Sequence, residues 1–137
     1  RCGADVTRVR KMFREHVEDY RAKGEAIRNA ELFREYFAIS VCPSEGLDSP
    51  TVVGAQAANE LLNIIGVKAS FVLTDYRNTI YISARSIDEI NVQIVMERLG
   101  GGGHLNIAGA QLEHYSVAEA KDVLKQTLQK MLDEGDI

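Results

Sequence analysis

Hydrophobic residues near the start of the chain recur every three or four positions, which is the spacing of one face of an α-helix. The pattern runs from Asp5 to about Phe37, with Gly24 as a candidate break and a polar side rich in arginine, lysine and glutamate. This helix is either a connector between two domains or an ordinary amphipathic helix of one domain. The first interpretation predicts a helical connector arm over residues 1–36.

After this stretch the pattern changes to short apolar runs that alternate with capped helical segments. Ser49 followed by Pro50 is a helix-start signal, and Gly66 marks the end of that helix near Ile65. Two further starts have serine three residues before glutamate, at Ser86–Glu89 and Ser116–Glu119. The apolar runs predict strands over 37–42, 69–74, 79–84 and about 110–115, the second and third joined as a hairpin.

Together these elements predict an α/β fold with a mixed β-sheet of about four to five strands, flanked by helices and preceded by the helical connector arm. The chain has 137 residues, which suits one compact domain over residues 37–137 with the arm appended. It begins with Arg1, so we expect it to be a piece of a larger protein. No apolar run approaches the roughly 20 residues of a membrane-spanning helix, and a cytoplasmic location is expected.

Composition and charge narrow the classes of function. Hydrophobic residues make up 45% and charged residues 26%, so the chain can bury a core and is not disordered. The formal net charge is −4, whereas a protein that follows a nucleic-acid duplex usually has a basic excess on its binding surface. We therefore expect no duplex nucleic acid as a partner. Cys42 closes an apolar strand and is expected to be a buried or half-buried thiol.

A run of glycines, Gly100–Gly103, ends the third predicted helix. A helix stop needs one glycine, and further glycines cost backbone entropy on folding. Such a run leaves the backbone bare, so that amide groups can approach a phosphate closely. The order is helix and then glycines, unlike the strand, glycine, helix order of Walker and dinucleotide-binding loops. His104 follows the run at once and is therefore a candidate ligand contact.

A second group of candidates lies where a predicted strand passes into a predicted helix. Ser83, Arg85 and Ser86 occupy this junction, and binding residues collect at such places in α/β folds. Arg85 can bind a phosphate through two parallel hydrogen bonds, although its position alone fits a surface arginine equally well. No carboxylate pair, His/Asp cluster or Cys/His set has the spacing of a metal site. By itself the chain looks like a binder and not a catalyst.

Two stretches of the chain resemble a known family. Gly100–His104 followed by Ala108-Gly109 resembles the signature of the DHH-associated substrate-binding domain, which accompanies the DHH catalytic domain in a superfamily of phosphodiesterases and exonucleases. Ser83–Ser86 resembles a second motif of that family. The resemblance covers roughly residues 37–132. One departure is Ile107, where the general pattern has alanine, and its bulk is expected to narrow the base pocket.

The run Ile82–Gln111 is similar to one branch in particular, the membrane-anchored bacterial enzymes with PAS-like and degenerate GGDEF domains that hydrolyse cyclic di-AMP to pApA. In the family, the DHH domain holds two manganese ions on aspartate and histidine ligands, and nothing in this chain matches those ligands. The resemblance therefore implies a nucleotide-binding subdomain without a cofactor, inactive alone. Its implied partners are cyclic di-AMP or a short adenine nucleotide and the DHH domain of the same polypeptide, and a homodimer of the full-length protein is left open.

The resemblance also implies which residues hold the substrate. Arg85 is implied to contact phosphate, and the glycine backbone and His104 to contact phosphate or base. The implied site consists of Ser83, Arg85, Ser86, Gly101, Gly102, Gly103, His104 and Asn106. Two alternatives stay open: a related enzyme acting on short oligonucleotides or adenosine bisphosphate, and a non-catalytic RNA-binding module as in alanyl-tRNA synthetases. The acidic balance and the run Asn91–Gln93 favour the cyclic dinucleotide branch.

Overall fold

The computed structural model describes residues 17–137, and predictions for residues 1–16 lie outside that range. The described part is a six-stranded sheet with helices on both faces, so the predicted α/β class with a mixed sheet is confirmed. The helices are α1 (17–28), α2 (Pro50–Leu61), α3 (Val92–Arg98) and α4 (Val117–Glu134). The strands are β1 (Glu31–Phe33), β2 (Phe37–Cys42), β3 (Ala69–Tyr76), β4 (Thr79–Ser86), β5 (Gly102–Gly103) and β6 (Ile107–Glu113).

The sheet has the strand order β1-β2-β3-β4-β6-β5 and one parallel pair, β2 with β3. Every other neighbouring pair of these strands is antiparallel. Helix α2 supplies the crossover that parallel neighbours require. The count exceeds the predicted four to five strands because β1 and β5 are only 3 and 2 residues long, too short to show an alternating pattern. No helix within residues 17–137 is long and apolar enough to cross a membrane.

The helical prediction for residues 1–36 is wrong for its last part. Helix α1 ends at residue 28, and Glu31–Phe33 forms a strand antiparallel to β2. Arg34 and Glu35, between these strands, have φ values of 52° and 73°, which are incompatible with an α-helix. The local spacing looked helical, but pairing with β2 decided the conformation, since strand formation depends on cross-strand neighbours. The division of the chain at residue 36 stays a prediction.

Alternate residues of the strands build two cores, one on each face of the sheet. On one face, α3 and α4 cover the larger core, which contains Phe37, Phe71 and Met96. On the other face, α1 and α2 cover a smaller core with many small residues, among them Ala26 and Ala57. Because β2 and β3 are covered on both faces, they read as almost continuous apolar runs.

The predicted hairpin is confirmed, with both strands longer than expected. Strand β3 continues to Tyr76 and β4 begins at Thr79, so only Arg77 and Asn78 form the turn. These two residues have φ values of 53° and 63°, as a type I′ turn requires. Such a turn matches the natural twist of the flanking strands, and it therefore favours the tight register of this pair.

Two of the predicted helix starts are confirmed. Ser49 is the cap residue of α2 with proline next to it, although its side chain makes no capping bond and the helix ends at Leu61 rather than near Ile65. At the start of α4, the hydroxyl of Ser116 accepts a hydrogen bond from the backbone N–H of Glu119 at 3.1 Å. The Glu119 carboxylate accepts one from the Ser116 N–H at 2.9 Å, and these bonds lower the pKa of Glu119.

The helix start predicted at Ser86 is wrong. Helix α3 begins at Val92, and its cap is Asn91, whose side-chain oxygen accepts from the backbone N–H groups of Gln93 (3.0 Å) and Ile94 (3.3 Å). Ser86 is instead the last residue of β4, where it pairs with Ala69. Sheet pairing keeps Ser86 extended, so the capping-box spacing has no helix to cap.

Candidate functional site

Within residues 17–137, the helices cover the β6–β5 end of the sheet mainly on one face. Helix α2 packs on β2, β3 and β4, whereas β6 packs against α3 on the opposite face. Along β4 and β6, buried residues therefore alternate with half-buried or exposed ones. We call the surface formed by the second set, together with Gly100–Gly102, the open face. Its strand residues are Tyr81, Ser83, Arg85, Ile107, Gly109, Gln111 and Glu113.

The strand register brings the two predicted motifs together on the open face. Ser83 of β4 is opposite Gly109 of β6, which is in turn opposite Gly102 of β5. This row contains no side chain larger than a hydroxymethyl group, so the backbone of three neighbouring strands is accessible there. Arg85 lies two residues further along β4, opposite Ile107. A cation therefore stands next to a bare stretch of backbone.

A cavity of about 590 Å³ opens on this face, within the usual range of small-molecule sites. Of the predicted site residues, Ser83 and Gly101 line it. Sequence reasoning missed Tyr81, Gln111 and Glu113. The remaining lining residues are Thr51, Ile82, Gly100, Gly109 and Ala110. Strand alternation could have identified Tyr81, because it lies two residues before Ser83 on the same strand. Gln111 and Glu113 follow only from the register of β6.

Arg85 lies beside the cavity and is held by neutral partners. Its Nε donates to the side-chain oxygen of Asn59 in α2 at 3.0 Å, and its Nη1 donates to the carbonyl oxygen of Ala84 at 2.9 Å. Burial lowers the pKa of the guanidinium, which nevertheless stays protonated, as arginine does in proteins. Among the described residues it forms no ion pair with a carboxylate. Its charge is therefore positioned and free to meet an anion.

The glycines differ in what their surroundings allow. A Cβ atom at Gly101 would collide with the carbonyl oxygen of Gly109, and one at Gly103 would come within 2.5 Å of the Cα of Ala108. Close approach to β6 thus explains both glycines. At Gly102, a Cβ atom would meet nothing within 4 Å, and φ is not in the left-handed region. No contact within residues 17–137 requires glycine there, which makes Gly102 a candidate for ligand contact.

His104 lies in the turn between β5 and β6 and is exposed. Its backbone N–H donates to the carbonyl oxygen of Ile107 at 2.7 Å. Because Ile107 is also the partner of Arg85 in the sheet, His104 and Arg85 lie at the same end of the open face. The side chain of Ile107 is 56% exposed, so its bulk faces the surface rather than the core.

Ser86 and Asn106 lie away from the open face. Ser86 is 5% exposed, and its hydroxyl donates to the carbonyl oxygen of Ile90 at 2.6 Å and accepts from the Asn106 amide at 2.9 Å. The Ser86 N–H donates to the Asn106 carbonyl oxygen at 3.0 Å. Neither residue lines the cavity. Their bonds join the segment after β4 to the turn before β6, and their contact with substrate stays a prediction.

Metal ligands were not predicted in this chain. Within residues 17–137, no group of three or more histidine, cysteine, aspartate or glutamate side chains is placed to hold a metal ion. The cavity has a single carboxylate, that of Glu113, whereas a two-metal centre needs several ligands to hold both ions. The described residues therefore do not fit the manganese centre that the resemblance implies.

The sheet order, the glycine–histidine turn and the paired motifs define a domain class. The family model of the DHHA1 domain matches residues 35–132, and the chain belongs to this family. The matched range contains the open face in full, from Tyr81 to Glu113. Residues 31–33, which form the edge strand β1, fall outside the match.

Several relatives cover most of the chain, and two of them illustrate the match. It is 39% identical over 134 residues to the cyclic-di-AMP phosphodiesterase GdpP of Geobacillus thermodenitrificans, covering 97% of this chain and 20% of the relative. It is also 39% identical over 123 residues to the cyclic-di-AMP phosphodiesterase PdeA of Listeria monocytogenes, covering 89% of this chain and 19% of the relative. The chain thus spans about a fifth of the length of the curated relatives it matches.

Solved structures share the architecture. An exopolyphosphatase-related protein from Bacteroides fragilis superposes with a TM-score of 0.71 at 25% identity, over 82% of this chain and 34% of that one. The C-Ala domain of Aquifex aeolicus alanyl-tRNA synthetase has a TM-score of 0.56 at 17% identity, over 73% and 97%. The second likeness shows the fold alone. Because proteins as different as these share one fold, the function of this chain has to be inferred from the residues of the open face.

Proposed function

We propose that this chain is the substrate-holding domain of a DHH-family phosphodiesterase that converts cyclic di-AMP to pApA. In this proposal the full-length protein is membrane-anchored with this domain in the cytoplasm, and the same polypeptide contains the DHH domain. The two manganese ions belong to that domain and supply the activation of water and the stabilisation of charge at phosphorus. The residues of this chain bind and orient the nucleotide.

The charged end of the open face is the observation that carries this proposal. A phosphate is held best by a cation together with backbone N–H groups. Arg85 supplies the cation, with two of its donors on neutral partners and no ion pair to a carboxylate within residues 17–137. The row of Ser83, Gly109 and Gly102 next to it has only small side chains and leaves space for the nucleotide, with the Ser83 hydroxyl as a further donor. The identity of the nucleotide is inferred from GdpP and PdeA, which are both named cyclic-di-AMP phosphodiesterases.

His104 completes the phosphate end of the proposed site. A neutral imidazole can donate from one ring nitrogen and accept at the other, so it can contact either a phosphate oxygen or a base. Its exposure leaves it free to do so, since in the part of the chain that the structure describes only its backbone forms a hydrogen bond, to Ile107. Preorganised donors of this kind can also stabilise charge that develops on the phosphate during hydrolysis.

An RNA-binding role has weaker support. The likeness to the C-Ala domain extends to the fold only, whereas the GdpP and PdeA relatives, each matching 89% or more of the chain at 39% identity, are named cyclic-di-AMP phosphodiesterases. Short oligonucleotides and adenosine bisphosphate differ from cyclic di-AMP mainly in having terminal phosphates. Steady-state kinetics of the full-length protein with each of these substrates would therefore distinguish a cyclic-di-AMP phosphodiesterase from an enzyme that acts on short oligonucleotides or adenosine bisphosphate.

The proposal is tested by Arg85→Ala and His104→Ala in the full-length protein, with cyclic di-AMP as substrate. Losing one charge-assisted hydrogen bond costs about 1.5–3 kcal/mol, so kcat/KM is expected to fall roughly ten- to hundredfold in Arg85→Ala. His104→Ala is expected to lose about tenfold. Manganese content should be unchanged in both variants. Arg28→Ala is the matched control, because Arg28 is exposed on α1 and does not line the cavity.

Each outcome of this experiment decides something specific. A fall in kcat/KM in both variants with unchanged metal content supports substrate holding at the open face. Wild-type efficiency in both variants would show that the site lies elsewhere. Faster turnover of adenosine bisphosphate or short oligonucleotides than of cyclic di-AMP by the wild-type protein would assign the domain to a different enzyme of the superfamily.

A further inference from the structure

The far end of the open face carries side chains that phosphate binding does not use. Tyr81, Gln111 and Glu113 line the cavity near the β3–β4 hairpin. Tyr81 is directly opposite Gln111 in the sheet. Tyr81 and Arg85 are four residues apart on one strand, which corresponds to about 13 Å. The open face therefore has a cationic end and, about 13 Å along the strand, an aromatic and polar end.

Tyr81 provides a supported aromatic surface at this end. It is half-buried, and its ring lies 6.4 Å from that of Tyr76 on the neighbouring strand, at an angle of 48°. The guanidinium of Arg77 lies 4.9 Å from the Tyr76 ring on the hairpin turn. Tyr76 therefore packs beside the half-buried Tyr81 ring and limits its freedom, so that less is lost when a base stacks on it. Stacking on an aromatic ring accepts any base, since every base has a π-face.

Gln111 provides the group that can distinguish one base from another. Its side chain is exposed and forms no hydrogen bond with the described residues, so its amide donor and acceptor are both free. Adenine presents an amino donor beside a ring-nitrogen acceptor, and a glutamine amide pairs with both at once. Glu113 lies two residues further on the same face and adds a second acceptor for an amino group. A purine without that amino group leaves the acceptor oxygens of Gln111 and Glu113 unpaired.

We propose that Tyr81, Gln111 and Glu113 form a base subsite that selects a purine carrying a 6-amino group, with Gln111 as the specificity-determining residue. This inference rests on the proposed function, because it assumes that Arg85 holds a phosphate of the same nucleotide. Tyr81 stacks on the base without regard to its identity. The small row of Ser83, Gly109 and Gly102 lies between the two ends and leaves room for the sugar.

The test compares cyclic di-AMP with the analogous cyclic dinucleotide whose purines lack the 6-amino group, in the full-length protein. The wild type is expected to prefer cyclic di-AMP by about tenfold in kcat/KM, the effect of one hydrogen bond left unmade. In Gln111→Leu that preference should fall to about one- to threefold, mainly through a higher KM for cyclic di-AMP. Gln126→Leu is the matched control, since Gln126 is exposed on α4 at the opposite face.

Tyr81→Leu separates stacking from base reading. This variant should bind both dinucleotides more weakly by similar factors, because stacking does not sense the amino group. If Gln111→Leu retains the wild-type preference while Arg85→Ala is impaired, the base subsite is overturned and the proposed function stands. If the wild-type protein does not act on cyclic di-AMP, the proposed function fails and the subsite fails with it.

Discussion

A methyl group added at Gly101 or Gly103 would run into strand β6, whereas one added at Gly102 would project into open space. The sequence cannot separate these positions, because all are glycines in one run. The structure distinguishes them by the atoms that an added Cβ would meet at each position. Close approach to β6 accounts for Gly101 and Gly103, and the bare backbone at Gly102 is left for a ligand. This difference gives a clean way to test function apart from stability.

We expect Gly101→Ala to destabilise the protein by about 1–3 kcal/mol, since the methyl group overlaps the backbone of β6. Gly102→Ala should change the free energy of unfolding by no more than about 0.5 kcal/mol, as at an ordinary surface position. It should nevertheless weaken cyclic di-AMP binding, because the methyl group occupies the space above the backbone. Urea unfolding and calorimetry measure the two effects. Unchanged affinity in Gly102→Ala would remove this residue from the site.

At the scale of elements, the edge strand β1 is tied to helix α4 by side chains. The carboxylate of Glu31 lies 2.8 Å from Lys125 Nζ and 3.5 Å from Lys121 Nζ. The Nε of Arg34 donates to the side-chain oxygen of Gln129 at 2.5 Å. The hydrogen bond from Lys125, followed by the charge of Lys121, lowers the pKa of Glu31 against the raising effect of burial. The three-residue strand β1 is thus held by side-chain contacts with α4 as well as by backbone pairing.

The lowered pKa of Glu31 makes this support dependent on pH. The Glu31 carboxyl of the unfolded chain has a pKa of about 4.3. The stabilisation is therefore fully present above that pH and is lost as the pH falls through the lower pKa of the folded state. We expect Glu31→Gln to lower Tm by about 1–3 °C at pH 7, as for an exposed ion pair. The difference from wild type should shrink as the pH falls below the unfolded pKa. Glu60→Gln, exposed on α2, is the control and should show no such convergence.

At the scale of the whole molecule, helix α1 is part of the described fold. Ala22 and Ala26 are buried against β2 and α2, and the hydroxyl of Ser40 donates to the Ala26 carbonyl oxygen. Cys42 lies in the same core at 1% exposure, which confirms the predicted buried thiol. Burial, with a further contribution from Glu25, raises the pKa of Cys42 to about 11. The thiol is therefore neutral and shielded at physiological pH.

Replacing Ala26 by aspartate should loosen this core. An unpaired carboxylate between α1 and the sheet is expected to cost about 3 kcal/mol. Cys42 should then react faster with a thiol reagent at pH 8, measured in a Cys2→Ser background so that a single thiol reports. Arg28→Asp, on the exposed side of the same helix, should leave both stability and labelling rate near wild type. Equal labelling rates in the two variants would mean that α1 does not shield Cys42.

The candidate site was predictable where residue type carries the chemistry. A glycine run followed by His104 predicts a ligand contact from residue type alone, whereas Arg85 at its strand end fits a surface arginine equally well until its partners are known. Tyr81 and Gln111 carry no such signal, because an aromatic residue and an amide on strands are commonplace. They become neighbours only through the pairing of β4 with β6. The same pairing joins Ser86 to Asn106 and places both away from the cavity.

The sequence by itself determined the α/β class, the existence of the hairpin between residues 74 and 79, the cap at Ser116 and the two motifs. These features depend on turn geometry, capping and alternation, which act over a few residues. Tertiary structure alone decided that residues 31–33 form a strand, that α3 begins at Val92, and that Ser83 faces Gly109. In each case the decisive partner is a strand that pairs with the segment or with the residues before it. Local preference is too weak to override a pairing that buries surface and satisfies backbone hydrogen bonds, and the open face exists because of that pairing.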